Sequence, residues 1–194
     1  MKRAIIGLCA ALLLLAGVAI AQAAPQKAPA AKGAKSQAQG AETPAEAAQT
    51  PGEKMTETAK CEKADQEYSL PIAGQKNHSF SISHTKCTYT KPGQIAGIET
   101  KDGEDTISAE VRGTHVFWHG FYVENMANGD QAYYRHHGQG LIKNGVFSTG
   151  TDDWVMVRGT GKLKGYKGKG TCKIIGADDG SATDECSGEY TAPH

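Results

Sequence analysis

The sequence predicts an all-β fold: a single antiparallel β-barrel of about eight strands, preceded by a signal peptide and a disordered linker. Three observations predict it. From His78 onward, short runs alternate apolar and polar residues, and no window longer than two turns carries a helical period with helix-forming residues. The runs are separated by Asn, Asp and Gly, the residues that accept the backbone angles of tight turns. Glycines also recur inside the runs, at Gly159, Gly161, Gly165 and Gly170. A strand glycine costs stability unless the sheet coils sharply or backbones approach closely, which favours a barrel over an open sandwich.

The chain begins with "MKRAIIGLCAALLLLAGVAIAQA". Lys2 and Arg3 give a positive start, Ala4 to Ile20 an apolar stretch, and Ala21-Gln22-Ala23 a small-x-small cleavage pattern. Residues 1–23 therefore read as a signal peptide, rather than an anchor, because no basic stop-transfer cluster follows closely. Lipidation at Cys9 is rejected: Leu8 stands where a small residue belongs, and the apolar run continues past the cysteine. No transmembrane segment remains after cleavage, and the expected location is the periplasm or the exterior.

Residues 24–58 are rich in Ala, Pro, Gln and Lys and contain no aromatic residue. Such a segment buries too little apolar area to offset its ordering entropy, so a disordered linker is expected. Residues 59–194 have the length of one domain with its own core. Once Lys2 and Arg3 are removed, the 21 basic residues fall to 19 against 21 acidic ones. That balance argues against a nucleic-acid partner, whose binding rests on a clear basic excess.

Four cysteines follow the cleavage site, an even number that suggests two disulfides in an exported chain. Asp178-Asp179-Gly180 reads as a hairpin turn. Folding about Asp179 sets Cys172 and Cys186, seven residues to either side, opposite each other. By elimination Cys61 pairs with Cys87. A four-thiolate metal site lacks any C-x₂-C pair to support it.

Within the domain, "HSFSISHTKCTYT" alternates with Phe80 and Ile82 on one side and Ser79, Ser81 and Ser83 on the other. "DTISAEVRG" puts Ile107, Ala109 and Val111 together. "THVFWHGFYVENM" and "QAYYRHHGQGL" flank Asn128-Gly129, the strongest short hairpin signal in the chain. "GVFSTG" and "DWVMVRGTGKLKG" follow, and Tyr166-Lys167-Gly168 reads as a turn between the latter and "GKGTCKIIG". Lys162 and Lys164 then share one side of the first arm, and Lys169 and Lys173 one side of the second. No P-loop is present, because Gly161-Lys162 is followed by Leu163. The lysines read as solvated strand residues before they read as a basic ribbon.

The block "WVMVRGTGKLKGYKGKGTCKI" (Trp154 to Ile174), with "NGDQAYYRHHGQG", resembles the late hairpins of the allene oxide cyclase and dirigent type of β-barrel, including its secreted bacterial relatives. The resemblance covers Thr114 to Ile175 and its motifs are structural. It implies an eight-stranded antiparallel barrel with a central cavity, and a homo-oligomer is compatible with it. It carries over no catalytic residue, since the acidic N-terminal segment of the plant enzymes has no counterpart here.

The residues that invite chemistry cluster in the Asn128-Gly129 hairpin. With a two-residue loop, Phe121 faces His136 and His119 faces Gly138, so His119 and His136 lie diagonally on one face at a distance a metal could bridge. His115 is about 13 Å from His119 along the strand, too far to share the ion. A change of one residue in loop length would separate the pair. Phe117, Phe121, Tyr122, Glu124, Tyr134 and Arg135 are the candidate ligand-binding residues, with Glu124 and Arg135 orienting a polar head group. The competing reading is a packed aromatic core. No nucleophilic elbow and no calcium-loop spacing occur, and no cofactor is expected. The leading reading is a non-enzymatic exported barrel that binds a small apolar or amphipathic ligand or an envelope component. An isomerase or cyclase and a histidine-based metal binder are the alternatives.

Overall fold

The computed structural model describes residues 52–193. The expected signal peptide, cleavage site and linker up to residue 51 lie outside the described residues. The described chain forms ten strands: β1 (Glu53–Cys61), β2 (Gln66–Pro71), β3 (His78–Lys91), β4 (Gln94–Ile95), β5 (Ile98–Arg112), β6 (His115–Met126), β7 (Gln131–Lys143), β8 (Val146–Gly159), β9 (Lys167–Gly176) and β10 (Ala182–Thr191). Antiparallel pairing runs β1, β10, β9, β8, β7, β6, β5, β3 and back to β1, which closes an eight-stranded barrel. The two extra strands are attachments: β4 pairs with the start of β5, and β2 pairs with β3 beyond the point where β1 leaves it.

The first strand begins at Glu53, six residues before the domain start expected at Ala59. "EKMTETAKC" alternates, with Met55, Ala59 and Cys61 buried, but polar Glu57 shares their face and hides the pattern. Both disulfides are as expected. Cys172 and Cys186 are direct cross-strand partners of the β9–β10 hairpin, and Cys61 and Cys87 join β1 to β3. Closing loops of these lengths removes chain entropy worth about 3–4 kcal/mol each. The cystines also fix parity. Because Cys87 points inward, Ser79, Ser81 and Ser83 share its side, and Phe80 and Ile82 stand on the outer face, 46% and 57% exposed. The apolar side of that strand is thus the solvent side.

One end of the barrel is sealed by Met55, Ile95, Ile98, Met126, Ala132 and Leu163, all buried. Leu163 comes from a single 3-10 turn, Gly161–Leu163, in the β8–β9 connection. This corrects the expected hairpin: the first arm ends at Gly159, so Lys162 and Lys164 lie in the connection and not on a strand. Asp130 accepts the Lys162 backbone N–H at 3.0 Å and fastens the turn to the β6–β7 loop.

Inward glycines answer a packing need. A Cβ on Gly170 or Gly188 would collide with the indole of Trp154, and one on Gly138 or Gly150 with that of Trp118. The barrel is narrow for its two tryptophans, and glycine on the facing strands makes the room.

Candidate functional site

Above the sealed end lies a chamber of about 70 Å³ whose wall contains five carboxylates, Glu57, Asp105, Glu124, Asp152 and Asp184, and one basic group, His136. Alternate residues of neighbouring strands place them there: Tyr122 and Glu124 from β6, Tyr134 and His136 from β7, Asp152 and Trp154 from β8. Both cystines line the same space.

In the lower layer Glu124, almost wholly buried, receives a hydroxyl on each oxygen: Tyr89 donates to Oε1 at 2.5 Å and Tyr134 to Oε2 at 2.6 Å. With those protons committed, Tyr190 donates to the Tyr134 oxygen at 2.9 Å and Tyr122 to that of Tyr89 at 3.1 Å. Burial, then the neighbouring Glu124, push Glu57 up to about 9. Burial raises Glu124 as well, against the lowering pull of its tyrosine donors. Since those donors favour the charged form of Glu124, the retained proton of the pair belongs on Glu57.

In the upper layer both nitrogens of His136 face carboxylates. Nε2 lies 3.0 Å from Asp105 and Nδ1 3.1 Å from Asp152. With both carboxylates ionised, a neutral ring would aim a lone pair at one of them, so the geometry fits imidazolium. Burial works against that charge, yet the bonds to Asp105 and Asp152 together outweigh it and raise His136 to about 10. Burial in turn raises Asp105. Asp152 also accepts the Trp118 indole N–H at 2.7 Å. Asp184 has no such support among the described residues: its Oδ1, like Oε2 of Glu57, is shut off from solvent without a hydrogen-bond partner. Burial, then Asp105 and Asp152, push Asp184 up to about 7.

The other end of the barrel is a wide mouth of about 910 Å³. Ala109, Val111, Val116, Ile142 and Phe147 give it an apolar wall, and Gln75, His78, Ser79 and Ser81 a polar one. Among the described residues β2 pairs only with β3, so its free edge borders the mouth opposite the β9–β10 turn. Trp118 packs edge-on against Phe147 and lines neither space, forming a floor between them. On the β10 wall they adjoin, since Ala182 lines the mouth and Asp184, two residues on, lines the chamber.

The expected site residues divide sharply. Tyr122, Glu124 and Tyr134 line the chamber. Phe117, Phe121 and Arg135 do not: they stand on the outer face, with the Arg135 guanidinium 5.3 Å over the Phe121 ring. Arg135 therefore cannot share a head group with Glu124. His119 is likewise outside and His136 inside, so the proposed metal pair is never brought together. The cause is loop length. Met126 N–H bonds Asp130 O, and Gly129 takes a φ of 86°, so the loop has three residues and a bulge. His119 consequently faces His137, and Gly120 faces His136. Among the described residues no three His, Cys, Asp or Glu side chains are set to hold a metal ion.

The sequence reading missed Glu57, Asp105, Asp152 and Asp184. Their signal was available only after parity was fixed: Glu57 shares its strand's inward face with Cys61, Asp152 with Trp154 and Asp184 with Cys186, while β5 offers Asp105 no such marker. Fold and site together define an eight-stranded antiparallel barrel with an acidic, proton-retaining interior. No family model matches the chain, and no curated protein sequence does either.

Proposed function

We propose that this protein is an exported, non-enzymatic binder of a small amphipathic molecule, taken up through the open end of the barrel. The observation that carries this reading is the mouth itself. Its volume of about 910 Å³ falls in the range of small-molecule sites, and its apolar and polar residues lie side by side, Ser79 pairing with Val111 and Ser81 with Ala109 across adjacent strands. A ligand with an apolar body would rest on Val111, Val116 and Phe147, and its polar groups would meet Ser79, Ser81 and Gln75. Two disulfides and the absence, among the described residues, of a helix able to cross a membrane support an exported setting.

The test is native mass spectrometry of the protein purified from the compartment to which it is exported, paired with titration of an amphipathic dye. A bound small-molecule mass, and dye binding that Ala109→Trp abolishes by filling the mouth, are expected. A bare chain mass together with unchanged dye binding in Ala109→Trp would overturn the proposal.

An isomerase or cyclase is the second reading, favoured by one observation: Glu57 retains its proton to about pH 9 inside the barrel, as a general acid must. It requires Glu57→Gln to abolish turnover of a substrate that still binds.

A further inference from the structure

The chamber is a separate space from the mouth, and its chemistry is incomplete. Asp105 and Asp152 share a single imidazolium, and Asp184, set among them, has none. No donor among the described residues reaches Asp184 Oδ1, although that atom is fully shielded from water. A buried carboxylate left this way costs stability, so its presence marks a place where a donor is supplied from outside.

We propose that the chamber is a binding site for a small cation bearing N–H bonds, a primary ammonium group, held at Asp184 Oδ1. Three features select that class. Three carboxylates around one imidazolium leave the upper layer with an excess of negative charge that a positive group reduces. A bare metal ion is disfavoured because no three ligating side chains converge among the described residues; an ammonium needs only directional acceptors. Beside the two cystines the wall carries aromatic rings, with Trp154 edge-on to Tyr134 and stacked on Tyr190, and such rings attract cations. The volume of about 70 Å³ admits a methylammonium-sized group and excludes bulky quaternary amines. Asp184, two residues from the rim residue Ala182, stands where such a group would enter.

The proposal is tested by thermal unfolding of the full mature protein in methylammonium chloride against tetramethylammonium chloride at equal ionic strength. The two salts carry the same charge, but only the first has N–H donors and fits. Wild type should gain about 4 °C in Tm when methylammonium exceeds its Kd tenfold, and nothing specific from tetramethylammonium. In Asp184→Asn, a near-isosteric change, the methylammonium gain should vanish while the fold persists. Should Asn disturb the chamber, Asp184→Ser supplies the same comparison with a smaller side chain. Equal shifts in both salts for wild type, or an undiminished methylammonium gain in the Asp184 variants, would overturn the site and leave the chamber to water.

Discussion

The chamber and the mouth are built from the same strands and the same alternating inward positions, yet they are opposites. At the chamber the inward side chains are Glu57, Tyr89, Tyr122, Glu124, Tyr134, His136 and Trp154, and little volume remains. At the mouth they are Ser79, Ser81, Ala109, Val111 and Val116, and the wall stays open beside β2. A closed barrel fixes backbone spacing, so side-chain size alone decides whether a level is filled or vacant. The filled level holds Glu124, Asp105, Asp152 and His136 through mutual hydrogen bonds and leaves Asp184 Oδ1 without one among the described residues. The vacant level bears few obligations to the fold and is free to meet a ligand.

That contrast yields graded expectations. The largest effect belongs to His136→Ala, which leaves Asp105 and Asp152 buried against each other without their shared cation. A loss of about 3–5 kcal/mol is expected in urea unfolding, the cost of stranding buried charge. Next comes Gly188→Ala, whose methyl group would strike the Trp154 ring. Overpacking of this kind costs about 1–3 kcal/mol, read by the same titration. At the mouth, Ser81→Ala should change stability by less than about 0.5 kcal/mol. A mouth substitution as damaging as the chamber ones would dissolve the distinction between the two levels.

The pH dependence of stability sharpens it. Glu57 is raised from 4.5 to about 9 and Asp184 from 3.8 to about 7. Between those limits the folded chain holds protons that the unfolded chain has released, so stability falls as pH rises. His136, raised from 6.5 to about 10, acts with the same sign: its contribution is complete below 6.5 and is lost as pH climbs through 10. The Tm should therefore be higher at pH 5.5 than at pH 8.5. Glu57→Gln, neutral at every pH, should flatten that decline and exceed wild type at pH 8.5.

Much of the architecture was legible because each strand carried a local signature. Alternation located β5 through Ile107, Ala109 and Val111, and the Asp179 turn gave the Cys172–Cys186 register at once. The Asn128-Gly129 hairpin was also legible, but not its loop length, and one residue there parts His119 from His136 and Arg135 from Glu124; Phe117 and Phe121 face outward because they alternate with Tyr122 and Glu124 on one strand. The chamber was harder to read for a deeper reason. Carboxylates at inward positions look like solvent-facing residues in a linear pattern; only closure of the barrel turns Glu57 and Asp184 inward together. Phe80 and Ile82 show the reverse error, apolar residues that closure turns outward.

Central to the acidic interior is an imidazole that stays charged through neutral pH between two carboxylates. Nitrogen-15 NMR of His136 across pH 5 to 9.5 addresses that point directly. Both ring nitrogens should keep the chemical shifts of imidazolium up to at least pH 9. A titration midpoint near 6.5, with one nitrogen losing its proton, would contradict the charged triad and with it the acidic interior described above.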